Sequence, residues 1–347
     1  MTRALAAVAA AAALVGGCLM PRYLAQAAHG QLDLLARARP LDEVIADPSV
    51  PLRTRVLLAE VDGLKAFATR MGLTPGKAYR KYVVVPYSGT VWFVGAAPPL
   101  SFEPRKWCFP IAGCFTGLGW FDEQEALRHR DELRRAGWDA MARPAGAYST
   151  GGWFPDPITS SMLSNDDTTA YADLANVVLH ESVHATVFIP DQMFFNEGLA
   201  EYVGDVMTDL WLIERFGKDS AELTAWKADQ AKRRQRMERT LVTYDDLAKL
   251  YASDRTPADK LAAKAKIIDK LVEDLALWER PNNANLVELR LYKASYDGFA
   301  RVHAACGDIR RLVASARRLK ASDFTKSLEE DLSRVLGRIQ AGCQAAR

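Results

Sequence analysis

His180-Glu181-Ser182-Val183-His184, followed by Asn196-Glu197-Gly198-Leu199-Ala200-Glu201, decides how this chain is read. Residues four apart lie on one face of a helix, so His180 and His184 can aim both imidazoles at one ion. Glu181 flanks the pair and can reach a water held by that ion. A catalytic zinc takes three protein ligands and keeps one position open. His180, His184 and Glu197 make that set. Glu201, one turn after Glu197, either orients a ligand histidine through its second N–H or competes for the third ligand position.

The context agrees with the motif. Thr168–Phe188 contains neither Gly nor Pro and predicts a helix with Leu174, Val177, Val178 and Val187 on its apolar side. Asp166 or Asp167 is expected to cap its start and Pro190 to close it. A second helical pattern begins near Phe194 and passes Leu210. A tight turn at Ile189–Gln192 would set the two helices antiparallel and return Glu197 to the histidines.

Upstream, Leu52–Met71 predicts one helix stopped by Gly72, and Gln31–Arg37 a shorter one. Tyr82–Pro86 and Thr90–Val94, around Ser88-Gly89, predict a β-hairpin. Asp122–Ala136 predicts a charged helix, and Trp138–Met141 and Tyr148–Trp153 predict short strands. Beyond Gly217 the chain reads as helix, punctuated by Pro257 and Pro281. The expected architecture is α+β and predominantly helical. It is zincin-like, with a small sheet beside the histidine helix and a helical C-terminal part. The expected organisation is a signal segment over 1–17, a catalytic region over 18–216 and a helical region over 217–347.

The first residues carry a basic Arg3 and an apolar run, Ala4–Val15, too short to span a membrane. Leu14-Val15-Gly16-Gly17-Cys18 is similar to a bacterial lipoprotein cleavage box, which would leave a lipidated Cys18 facing the periplasm from the cell envelope. Cleavage after Ala25-Gln26-Ala27 is the alternative and would release a soluble periplasmic protein. Without Cys18 the cysteine count is an even four. Three connectivities are open, the simplest being Cys108–Cys114 with Cys306–Cys343. The net charge of +2, from 45 basic and 43 acidic residues, carries no nucleic-acid footprint.

These features together resemble the bacterial putative-aminopeptidase family of predicted lipoprotein zinc peptidases. The resemblance rests on Gln26–Gln31, Trp107-Cys108-Phe109-Pro110-Ile111-Ala112-Gly113-Cys114, Gly119–Asp122, Ala147–Phe154, Leu179–His184, Phe195-Asn196-Glu197 and Pro281–Ala284. The family usually reads H-E-L-A-H-Q and N-E-S-F-A. This chain has Ser182, Val183 and Ala185 in the first motif and Gly198-Leu199-Ala200 in the second. The substitutions spare the expected ligands and bear on substrate preference. The G-x-M-E-N sequence with which large zinc aminopeptidases hold a substrate N-terminus is absent.

The resemblance implies a peptide substrate, a Zn2+ cofactor and Glu181 as general base. Tyr148, Tyr292 and Tyr296 are candidate donors to a developing oxyanion, and His303 is either a core residue or a donor. Two other functions compete. One is a non-catalytic envelope lipoprotein that keeps the fold as a binding module. The other is a zinc hydrolase acting on a non-peptide amide.

Overall fold

A computed structural model describes residues 19–86, 89–109, 113–145 and 155–345, with side chains at 288–295 outside the description. The order begins with α1 (Leu19–Arg37), β1 (Arg39–Pro40), α2 (Leu41–Ala46), α3 (Leu52–Ala59) and α4 (Val61–Arg70). Next come β2 (Lys81–Val83), β3 (Val91–Ala97), β4 (Trp107–Phe109), β5 (Gly113–Phe115), β6 (Gly117–Trp120), α5 (Glu123–Arg135), β7 (Asp139–Ala145) and β8 (Ile158–Thr159). The rest is helical: α6 (Ala170–Thr186), α7 (Met193–Phe216), α8 (Ala221–Ala252), α9 (Pro257–Leu275), α10 (Asn283–Cys306), α11 (Ile309–Ala316) and α12 (Ser333–Ala345). The protein is therefore mostly helical with small sheets, as the sequence implies.

Local chemistry explains many of the ends. Asp122 caps α5 by accepting from Glu125 N, and Thr256 caps α9 by accepting from Asp259 N, with Pro257 in the first turn. Asn282 caps α10, and Gly217, at φ +97°, ends α7. Three expectations need correction. Leu52–Met71 is two helices, because Glu60 tightens the chain with bonds to Leu57 O and Leu58 O; its carboxylate is clamped by Arg215 at 3.0 and 3.1 Å. Neither Asp166 nor Asp167 caps α6. Asp166 turns onto Thr168 and Asp167 pairs with Arg53, so the helix starts at Ala170. It also stops at Thr186, well ahead of Pro190.

The third correction is the hairpin. β2 pairs with β1 (antiparallel) and β8 (parallel), whereas β3 lies between β6 and β7, antiparallel to both. Gly89 N does donate to Pro86 O at 3.0 Å, but the strands on either side enter different sheets. β4 and β5 form a separate hairpin that brings Cys108 opposite Cys114. Tyr148–Trp153 falls outside the described residues.

One continuous apolar core runs from Leu41 to Cys343. It includes Leu174, Val178, Leu179 and Val183 of α6, Phe195, Leu199, Val203 and Met207 of α7, and Phe299 and Val302 of α10. The spacing of these residues is helical, so each helix turns one apolar face inward. A second cluster joins the β3–β6–β7 sheet to α5 through Val94, Leu118, Trp120, Ala126 and Leu133. The sulfurs of Cys108 and Cys114 lie 2.05 Å apart, and those of Cys306 and Cys343 2.06 Å, both at disulfide distance. None of the described helices is long and apolar enough to cross a membrane.

Candidate metal centre

The histidine helix and its partner meet along their length. Asn176 reaches Asp205 and Thr208, His180 lies beside Glu197 and Glu201, and the Gly204 Cα sits where an added Cβ would touch the His180 backbone at 3.4 Å. Rising numbers on α6 meet falling numbers on α7, so the helices are antiparallel. The turn between them is held by Asn196. This buried amide accepts from Ile189 N (2.9 Å) and donates to Ile189 O (2.8 Å). Asp191 takes a left-handed backbone at φ +59°.

Distant segments fasten the same turn. Leu328 N donates to Asp191 O at 2.7 Å, Gln192 Nε2 to Lys326 O at 2.7 Å, and Glu329 N to Gln192 Oε1 at 3.1 Å. From the other side, Cys114 N donates to Asp191 Oδ1 at 2.9 Å. Gly113, at φ +82°, is required there, since a Cβ would come within 2.6 Å of that carboxylate.

The result is a tight donor set. His180 Nε2 and His184 Nε2 face each other at 3.1 Å. Glu197 sets Oε2 3.7 Å from the first and Oε1 3.5 Å from the second. A tetrahedral ion with metal–ligand distances of roughly 2.0–2.2 Å has ligand–ligand edges of roughly 3.3–3.6 Å. The nearest separations scatter about that edge, with Glu197 turning a different oxygen to each histidine, and the group could hold one cation. One ligand atom from each of the three residues lies within 4.8 Å of the other two. Glu201 Oε2 stands 3.9 Å from His180 Nδ1, the ring nitrogen that points away from the cluster.

The electrostatics also suit a cation. Burial lowers the His180 imidazole's hold on a proton, but Glu197, Glu181 and Glu201 outweigh it and raise its pKa to about 9. Burial pushes the Glu197 carboxyl up, and His184 and His180 bring it below its ordinary value. Next along α7, Asp205 is pushed up to about 6, first by burial and then by the Glu201 charge. It accepts from Asn176 Nδ2 (3.1 Å) and from Tyr296 Oη (3.2 Å).

Residues 22–330 match the protein family described as "Putative aminopeptidase". The chain belongs to that family. No curated protein and no solved structure matches it. The family match spans the donor set as well as Lys326, Leu328 and Glu329, which fasten its turn.

The sequence-predicted residues divide clearly. His180, Glu181, His184, Glu197 and Glu201 share one corner of the fold. Cys18, Tyr148 and the Tyr292 side chain lie outside the described residues. Tyr296 is bound to Asp205, and His303 Nδ1 is paired with Tyr202 Oη at 2.7 Å, on the flank of α7 that meets α10. Sequence reasoning missed Asn196 as the turn clamp and Asp205 as a buried carboxylate. The spacing of Glu197, Glu201 and Asp205 at successive turns could have shown the latter.

Proposed function

We propose that this chain is an exported, zinc-dependent peptidase. The observation that carries the reading is the convergence of His180, His184 and Glu197 with Glu181 adjacent. Family membership supports a peptide substrate. In this reading His180, His184 and Glu197 hold Zn2+, and Glu201 steadies the His180 ring through Nδ1. Bound zinc supplies Lewis acidity, which makes a water acidic enough to ionise near neutral pH and polarises the scissile carbonyl.

The chain's own residues do the rest. Glu181 accepts the attacking water's proton and delivers it to the departing amine, so one carboxylate serves as base and then as acid. Asn196 keeps Glu197 in register with the histidines. Tyr148 and Tyr292 are proposed as donors to the developing oxyanion. Cys18 is proposed to carry lipid that anchors the protein in the cell envelope, facing the periplasm. The two cysteine pairs are compatible with that oxidising location. Residues 18–216 would form the catalytic region and 217–347 its helical support.

The test is Glu181→Gln, assayed against a peptide library beside the wild type. The wild type should cleave at neutral pH and stop when a chelator is added. The variant should keep its metal and melting temperature and lose about 10²–10⁴-fold in rate. A wild type that binds zinc and cuts nothing would leave the binding-module reading in its place.

A further inference from the structure

The two cysteine pairs differ in what a reagent can reach and in what they hold. Cys306 and Cys343 are 0% and 1% exposed and join α10 to α12 inside the main core. Cys108 is exposed and Cys114 partly so. This second pair crosses the β4–β5 hairpin, whose strands are three residues each, with the two cysteines directly opposite. A two-stranded hairpin has little stability of its own. One flank of it is tied to the sheet core through Trp107 and through Phe109, whose ring centroid lies 5.5 Å from that of Tyr23.

The other flank meets the turn between α6 and α7. Cys114 N donates to Asp191 Oδ1 at 2.9 Å, and two residues on, Thr116 Oγ1 donates to Met193 Sδ at 3.1 Å. Met193 is the first residue of α7, one helical turn before Glu197. An accessible cysteine pair is thus bonded through its own backbone to the turn that sets the third ligand. The acceptor is a carboxylate, which makes this hydrogen bond stronger than a neutral one.

We propose that the Cys108–Cys114 pair is a redox-sensitive brace of the metal centre: closed as a disulfide it holds the hairpin against Asp191, and opened by an external dithiol it slackens the turn and loosens the hold on the metal. One thiolate of the dithiol attacks the sulfur of Cys108, the more exposed residue. The S–S bond breaks, and Cys114 leaves as a thiolate that takes up a proton. The second sulfur of the dithiol then displaces Cys108. Two electrons pass to the protein, which ends with two thiols, and the reductant ends as a disulfide. This role rests on the metal-binding reading above and is independent of peptide cleavage.

The experiment compares untreated protein with protein treated with dithiothreitol, desalted without air and loaded with zinc. Alkylation and mass spectrometry locate the free thiols. Cys108 and Cys114 should be alkylated while Cys306 and Cys343 stay paired. A competing chelator should strip zinc about 10-fold faster from the opened form, the scale of one hydrogen bond to a charged group. A Cys108→Ala, Cys114→Ala double variant, which has no new thiol to bind the metal, should release zinc as fast as the opened wild type. Asp191→Gly tolerates the left-handed backbone and removes the carboxylate, so opening the pair should change nothing there. Asp191→Asn keeps an acceptor oxygen and should restore the difference. Zinc release that ignores opening, or that responds equally in Asp191→Gly, overturns the proposal. Protein that takes up no zinc in either form sinks the metal reading, and hydrogen exchange across residues 189–196 then decides the brace. Faster exchange on opening supports it, and equal exchange overturns it.

Discussion

Two buried histidine environments in this protein have opposite characters. At the α6–α7 pair, carboxylates surround His180, overcome its burial and raise its pKa to about 9. Under α5, His129 is 3% exposed and packed between Trp107 and Trp120, with ring centroids 6.1 and 5.5 Å away. There burial dominates and lowers the pKa, with Arg105 and Arg22 opposing protonation and Glu132, 3.6 Å from Nδ1, only partly offsetting them. Neither ring nitrogen of His129 has a hydrogen-bond partner, nor do the Trp107 and Trp120 indole N–H groups or Arg105 Nε. Burial alone thus says little about a histidine. The sign of the charges around it decides whether the site attracts a cation or excludes one.

The sharpest way to break this comparison is to remove a carboxylate from the first environment. Glu197→Ala should abolish tight metal binding, measured by metal analysis after dialysis, and activity with it. Glu201→Ala should retain the metal but weaken it about 10–100-fold, the usual effect of losing an orienting partner. If Glu201→Ala loses the metal and Glu197→Ala keeps it, the two roles are exchanged.

A smaller effect tests the burial of Asp205 beside the Glu201 charge. Asp205 titrates near 6 in the fold, against 3.8 for an ordinary carboxyl. The fold therefore favours the protonated form. Its stability is fully expressed below the unfolded value, declines between about 4 and 6, and is level above. Asp205→Asn removes that decline. The variant should gain on the order of 1–2 kcal/mol at pH 8 in denaturant melts, and the gain should fade toward pH 4. A constant difference across that range would mean that Asp205 is not raised in the fold.

The smallest effect belongs to the second environment. The folded pKa of His129 is depressed, so its contribution is whole above the unfolded value near 6.5 and is lost as the pH falls through the folded one. His129→Phe keeps an aromatic ring in the tryptophan pocket. Thermal melts from pH 7 to pH 5 should show the wild type losing ground to the variant. Parallel curves would show that His129 is charged, or solvated, in the fold.

The first environment was legible in the sequence and the second was not, for a physical reason. His180, His184 and Glu197 are set by helix periodicity and one turn, relations that span few residues. The pocket around His129 joins α5 to Trp107 and Trp120, and nothing in a charged helix announces that one of its faces is aromatic-lined. The hairpin failed in the same way, because turn chemistry does not say which strand pairs with which. The strand bonds here are non-local, β2 to β8 and β3 to β7.

The turn that returns Glu197 is bonded to Lys326, Leu328 and Glu329, residues made more than a hundred positions later. During synthesis, α6 and α7 can form while this fastening is still missing, since its donors have yet to be translated. The turn behind the donor set therefore gains these bonds only after Lys326–Glu329 have been made. An emerging chain bears its histidines on a helix pair joined by its own core and by Asn196, and the later residues add a second fastening. The bracing of this candidate metal centre is in this way tied to distant chain, and a chain truncated before Lys326 would carry His180, His184 and Glu197 yet lack the bonds that fasten their turn.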